Sequence, residues 1–321
     1  MSILITGGAG FIGSCIVRSL NDRGIYDLII SDNIKGNKEL NLNPHRFVSY
    51  IPKEDLFKSL DELSGISMVI HMGACSSTTV TDWDYLYHNN FKFSCTLWNH
   101  CARHQIPFIY ASSAATYGDG AQGFDDECDI DTLKPLNMYA KSKQMFDMWI
   151  KHDASIIPPQ HVGLKFFNVY GPNEYFKGDM SSIVYKGYRQ IIESGWISLF
   201  KSYDPNYPDG GQLRDFVYVK DICDVILWFM DHPDISGLFN VGTGHAVSFS
   251  HVAEVTFRAM GMTPNIEYID MPDTIRQQYQ YYTQAKMDKL RSSGYEKPFT
   301  SPEDGVTEYV QEYLSKGYRI Y

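Results

Sequence analysis

The sequence predicts a doubly wound parallel α/β sheet with a smaller α/β substrate-binding region. Three observations carry the prediction. Short apolar runs alternate with longer helical patterns through the first half of the chain, a glycine-rich turn follows the first run, and a Tyr–Lys pair four residues apart opens a later helix. The runs fall at 2–6, 27–30, 68–71, 108–111 and 161–167. Gly171-Pro172 breaks the pattern, which places a boundary near residue 168. Residues 1–167 then form a dinucleotide-binding part, to which 214–240 returns, and 168–213 with 241–321 form the substrate-binding region.

The first element runs into Thr6-Gly7-Gly8-Ala9-Gly10-Phe11-Ile12-Gly13, where Gly8, Gly10 and Gly13 spell GxGxxG and Gly7, Gly10 and Gly13 spell GxxGxxG. The turn opens an amphipathic helix marked by Ile12, Ile16 and Leu20. In that context missing side chains let a pyrophosphate approach the positive helix end, so the stretch reads as a dinucleotide site. The second strand ends at Asp32-Asn33, where an acid takes a ribose 2'-hydroxyl and favours NAD. Lys35 and Lys38 follow, cations suited to a 2'-phosphate, so residue logic leaves NAD and NADP both open.

Gly73-Ala74-Cys75-Ser76 is a small-residue turn where backbone passes close to a ligand. A long helix is expected over 82–104, with Asn89 offering a polar contact to the strand ends and its many aromatics packing core and interface. The strand after it delivers Ser112-Ser113 at its carboxyl end, the crevice side of such sheets. Ser113 is therefore the candidate hydrogen-bond donor to a substrate oxygen, against the alternative of a turn-capping serine.

Pro135 and the capping Asn137 start the next helix, which sets Tyr139 and Lys143 on one face. Free tyrosine titrates near pH ~10, so a phenolate at neutral pH costs about 4 kcal/mol, and a neighbouring ammonium cuts that cost. Tyr139 reads as a proton-transfer residue and Lys143 as its tuner. Tyr282 and Lys286 share the spacing but lack the serine-bearing strand end and the glycine turn. Further on come Lys177, a Pro/Gly/Asp-rich loop over 203–212, an apolar helix over 221–230, and a polar loop with Arg276 and Tyr279. Arg214 offers a fork to a phosphate or a structural pair with Asp215 or Asp221.

Composition bounds the partners. The 321 residues are 44% hydrophobic and 21% charged with net charge −10, which argues against coating nucleic acid and makes any phosphate site local. Six cysteines without a CxxC read as reduced thiols of a cytoplasmic protein. His100-Cys101 with His104 reads as packing, and no metal is expected. The N-terminus reads as a buried strand rather than a signal peptide, and no apolar run approaches the ~20 residues that span a membrane.

With these residues in hand, the glycine loop, YASSAATYG at 110–118, YAKSK at 139–143, FFNVYGPNE at 166–174 and LRDFVYVKD at 213–221 resemble the extended short-chain dehydrogenase/reductase family over nearly the whole chain. GACSST at 73–78, FKGDMSS at 176–182 and YTQAKMDKLRSSGYEKPF at 282–299 are similar to the branch that inverts C6 of an ADP-bound heptose, a precursor of lipopolysaccharide core. The resemblance implies transient oxidation of C6 to a ketone and return of the same hydride, with bound NADP as cofactor and a homo-oligomeric assembly. It makes Tyr139 and Lys177 the two acid/base residues, one per face, with Ser113 orienting the oxygen and Lys143 on the nicotinamide ribose.

Cofactor contacts are implied at the glycine loop, Phe11, Ile12, Asp32, Asn33, Lys38, Lys53, Asn89 and Val169, besides the turn 73–76. Substrate contacts are implied at Ser113, Asn168, Phe200, Arg214 and Tyr279. Asp179 stands where the family carries serine, Lys186 where it carries histidine, and the loop 201–212 is longer, all on the substrate side. A 4,6-dehydratase needs an acid beside the strand hydroxyl, where this chain has Ala114-Ala115. A 4-epimerase of another sugar nucleotide and a non-catalytic dinucleotide sensor are the other readings.

Overall fold

Among the residues described by the computed structural model (1–34, 36–63, 65–276 and 279–321), the strands follow in chain order. They are β1 (Ser2–Thr6), β2 (Leu28–Asp32), β3 (Ser49–Pro52), β4 (Ile66–His71), β5 (Phe108–Ser113), β6 (His161–Phe166), β7 (Asn168–Tyr170), β8 (Ile197–Phe200), β9 (Leu213–Tyr218), β10 (Gly237–Val241), β11 (Ala246–Ser248) and β12 (Ile266–Ile269). Seven of them form one parallel sheet in the order β10-β6-β5-β4-β1-β2-β3. Lys35, read above as a cation beside Asp32, lies outside the described residues.

The strand pleat builds the two helical layers. Ile3 and Ile5 of β1 point to one face and pack with Ile16 and Ile226, from the helices Phe11–Asp22 and Val219–Asp231. Leu4 points to the other and packs with Trp98 and Phe146, from the helices Phe93–Arg103 and Met138–His152. Burial on both faces is why these strands read as continuous apolar runs. β3 breaks that rule: Ser-Tyr-Ile-Pro lies at the sheet edge, only half-buried, and its sequence carries no such run.

The expected helix over 82–104 begins at an Asp82 cap, which accepts from the Tyr85 amide. It is interrupted, however, by a π-helical turn at Tyr87–Lys92 before continuing as Phe93–Arg103. β9 pairs with β7 and β11 in a separate three-stranded sheet. Residues 214–218 thus lie in this smaller sheet, while the helix Val219–Asp231 packs on the large one. β8 and β12 pair in parallel beside the helices Ile183–Ser194 and Phe249–Ala259. No described helix is long and apolar enough to cross a membrane.

The inner end of the sheet holds a neutral histidine. His71 is 2% exposed, bonds Thr6 Oγ1 at 2.5 Å and Ser94 Oγ at 2.8 Å, and burial pushes it down to about 3. An unfolded His takes up a proton near pH ~6.5, so the unfolded state binds the extra proton and stability falls as pH drops below that value. The loss is about 1.4 kcal/mol per unit until pH ~3. Unfolding midpoints in urea measured from pH 7 to 5 should fall less steeply in His71→Asn than in the natural chain.

Candidate active site

Strand order reverses between β1 and β4, and the segments leaving their carboxyl ends must diverge there, opening a crevice. A cleft of about 1050 Å³ occupies this place. Its floor is the glycine turn. Gly7 has φ +71°, and a Cβ on it would lie 2.6 Å from the Gly73 amide nitrogen, so the turns after β1 and β4 touch backbone to backbone. A Cβ on Gly13 would lie 2.1 Å from the Gly7 carbonyl oxygen, which holds the helix start against the turn. The helix Phe11–Asp22 has no side-chain cap, so its first amides remain open to an anion. These features fit a dinucleotide pyrophosphate.

At the end of β2, Asp32 is buried and accepts from the Ala9 amide at 3.0 Å, the Asn33 amide at 2.7 Å and Lys38 Nζ at 2.5 Å. Lys38 thus neutralises the acid that reads as an NAD determinant. Phe11, Ile12, Gly73, Ala74, Ser76 and Val169 also line the cleft. Asn33, Lys53, Cys75 and Asn89 do not. Lys53 and Asn89 hydrogen-bond each other instead.

The contact expected of Asn89 is made by its neighbour. Asn90, buried, accepts from the Cys75 amide at 2.8 Å and donates to the Cys75 carbonyl at 3.0 Å and to Ser142 Oγ at 3.0 Å. It ties the turn after β4 to the Tyr139 helix. The π turn moves this side chain by one position, a displacement that helical periodicity does not encode.

Tyr139 and Lys143 rise from the helix Met138–His152, whose N-cap Asn137 accepts from the Ala140 amide at 2.8 Å. Both line the cleft beside Ser113. Burial pushes the Tyr139 hydroxyl above its ordinary value, and the neighbouring Ser113 hydroxyl pulls it back. Ser113 also caps the turn after β5, accepting from the Ala115 amide at 3.2 Å, so the two readings of this serine coexist. The expected tuning of Tyr139 by Lys143 is not what the contacts display. Lys143, pushed down to about 8 by burial, donates to the Ala111 carbonyl at 2.8 Å.

The same cleft is lined by Lys177, half-buried, its Nζ 5.1 Å from the centre of the Phe11 ring. Burial lowers its proton affinity. Asn168, Lys186, Phe200, Arg214 and Tyr279 also line the cleft, whereas Asp179 is exposed and offers only its carbonyl, to Lys186 Nζ at 2.6 Å. Arg214 is 8% exposed between the Tyr279 and Phe249 rings, 5.2 and 5.7 Å away. Neither acid considered for it is its partner. Asp215 faces the other side of β9 and accepts from the Thr243, Gly244 and Ala285 amides, and Asp221 accepts from Thr300. Among the described residues no carboxylate pairs with Arg214. The buried guanidinium donates instead to the Leu213 carbonyl at 2.8 Å and to the Gln280 carbonyl, which hold it at the cleft lining.

Asp61, His100 and His104 bring ligand atoms within 4.8 Å of one another before β5, away from the cleft. His100 Nδ1 stands 3.4 Å from an Asp61 carboxylate oxygen, and the His100 and His104 rings lie 4.3 Å apart.

The chain is 49% identical over 317 residues to an ADP-L-glycero-D-manno-heptose-6-epimerase of Nitratidesulfovibrio vulgaris, covering 97% of this chain and 98% of the relative. The crystal structure of the Helicobacter pylori ADP-L-glycero-D-manno-heptose-6-epimerase superposes with TM-score 0.81 at 26% identity, covering 97% and 95%. A UDP-N-acetylglucosamine 4-epimerase from Methanobrevibacter ruminantium superposes with TM-score 0.84 at 25% identity, covering 98% of each chain. Residues 3–242 match the model of one family, and the chain belongs to it: the NAD dependent epimerase/dehydratase family.

Proposed function

We propose that this chain inverts C6 of ADP-D-glycero-D-manno-heptose to give the L-glycero epimer, a step toward lipopolysaccharide core heptose. The observation that carries the reading is that one cleft brings Tyr139 and Ser113 together with a second proton-exchanging side chain, Lys177, from a different segment of the chain. Inversion presents the reacting carbon by opposite faces, and one base cannot serve both without a large movement of the sugar. When bound, a nicotinamide dinucleotide supplies reversible hydride acceptance. Tyr139 and Lys177 each exchange the hydroxyl proton of the reacting carbon on its own side, so that carbinol and ketone interconvert with protons balanced. Ser113 orients the oxygen, Lys143 holds the cofactor ribose, and Arg214 receives the diphosphate of the nucleotide.

NADP is the proposed cofactor, with Lys38 on its 2'-phosphate. The support is the Asp32–Lys38 ion pair, which removes the repulsion that a lone carboxylate would exert. Lys38→Ala should weaken retention of NADP about tenfold or more, the worth of a charge-assisted bond, while NAD binding changes little. Competition between the two dinucleotides, read by mass spectrometry of the denatured supernatant, checks this. The proposal also divides the chain at residue 168, since β1–β6 and β10 build the large sheet and the remaining strands the smaller ones. It takes the protein as a cytoplasmic homo-oligomer, in keeping with six unpaired cysteines.

Incubating purified protein with ADP-D-glycero-D-manno-heptose and no added cofactor, with C6 followed by proton NMR, tests the function. A mixture of both epimers is expected. The fold match to a 4-epimerase favours a second reading, which turnover of UDP-N-acetylglucosamine in place of the heptose substrate would establish.

A further inference from the structure

Glu174 is a carboxylate with no exposed surface, a residue given no role above. Burying an ion this fully is costly unless its charge is used, so its contacts are informative. One oxygen accepts from Ser182 Oγ at 2.6 Å and from the Gly171 amide at 3.4 Å, and the other from the Ser182 amide at 2.5 Å. Ser182 caps the helix Ile183–Ser194, accepting in turn from the Tyr185 amide at 3.2 Å. The carboxylate thus sits at a positive helix end and joins the two ends of the segment 174–182. Between those ends the backbone is wound tightly: the Lys177 amide donates to the Glu174 carbonyl at 3.0 Å, Met180 to Lys177 at 3.1 Å, and Ser181 to Gly178 at 3.1 Å. Lys177 stands on this loop and reaches across to the Phe11 ring.

We propose that Glu174 is the positioning residue for Lys177, a buried clasp that closes the loop 174–182 on the helix N-terminus and so fixes where the ammonium points. The inference rests on the acid/base role proposed for Lys177. Charge gives the clasp a second effect. The charged groups facing Lys177 are Glu174, which favours its ammonium, and Lys186, which opposes it, while burial disfavours the ion most. Around Glu174 stand Lys177, Ser182 and the buried hydroxyl of Tyr309, with Tyr175 and Cys15 nearby.

The test is Glu174→Gln, compared with Ser182→Ala and Lys177→Met. Glutamine keeps the size and still accepts from the Ser182 amide, but carries no charge. In E174Q, kcat should fall about 10- to 100-fold with KM nearly unchanged, the signature of a displaced reacting group. The limb of the kcat–pH profile that K177M abolishes should also move about one unit toward lower pH, because the ammonium has lost its nearest anion. S182A keeps the charge and loosens the clasp, so its kcat should fall with that limb in place. An E174Q enzyme with natural kcat and pH profile overturns the inference. Should E174Q not fold, S182A decides alone: reduced kcat at full dinucleotide content supports the clasp, and natural kcat refutes it. Full turnover by K177M would instead refute the acid/base role of Lys177, a separate failure.

Discussion

Replacing Tyr139 by Phe should lower epimerisation about 10²- to 10⁴-fold while leaving the fold and the amount of retained dinucleotide unchanged. The variant removes one oxygen, whose proton affinity the neighbouring Ser113 hydroxyl lowers. The ring still fills its place at the start of the helix Met138–His152, and the Asn137 cap, the Lys143–Ala111 bond and the Asn90 tie are all elsewhere. Burial raises the hydroxyl's proton affinity, so at neutral pH Tyr139 holds its proton and is set to return it. Ser113 is the group that eases the reverse transfer. Losses in Tyr139→Phe and Ser113→Ala should therefore overlap, with the double variant little worse than Tyr139→Phe alone. Turnover followed by proton NMR, with dinucleotide measured in the denatured supernatant, checks both statements. Natural turnover by the Phe variant would remove Tyr139 from the chemistry.

What the sequence made legible follows from which features are local. Strands buried on both faces announce themselves as apolar runs, and Gly7, Gly10 and Gly13 announce a turn where side chains do not fit, so the central sheet and glycine floor were readable. β3 was not, because an edge strand needs no apolar run. Asn90 escaped for a different reason. Its role depends on a π turn that slips the helix by one residue, and the neighbouring Asn89 fits the regular period just as well. Spacing placed Tyr139 and Lys143 on one face, yet it could not say that the ammonium would be satisfied by the Ala111 carbonyl, a partner from another strand. Arg214 presents the same limit. The acid next to it in sequence is Asp215, but strand alternation turns that side chain to the opposite side, and the guanidinium takes the Leu213 and Gln280 carbonyls at the cleft lining instead.

Beneath the site lies the pair whose disruption should cost the fold most. Lys165 of β6 and Asp147 of the Tyr139 helix are each 1% exposed at the side chain and stand 3.5 Å apart. Asp147 also accepts from Tyr110 at 3.0 Å and Ser112 at 2.6 Å, while Lys165 donates to Thr116 at 2.5 Å and lies over the Tyr117 ring. Lys165→Met preserves length and strand packing but leaves the carboxylate buried with hydroxyl donors only. Breaking such a pair from one side costs about 3–5 kcal/mol, enough to lower the urea midpoint clearly. Adding Asp147→Asn removes the stranded charge, so the double variant should be more stable than Lys165→Met alone. The same carboxylate favours the charged form of Lys143, one turn earlier on the helix, and holds Ser112 beside Ser113. Asp147→Asn by itself should therefore push Lys143 further below its value of about 8, and dinucleotide retention should be lost at a lower pH than in the natural chain. A Lys165→Met protein with an unchanged urea midpoint would show that the pair is not an anchor, and an unchanged pH dependence in Asp147→Asn would cut its link to the site.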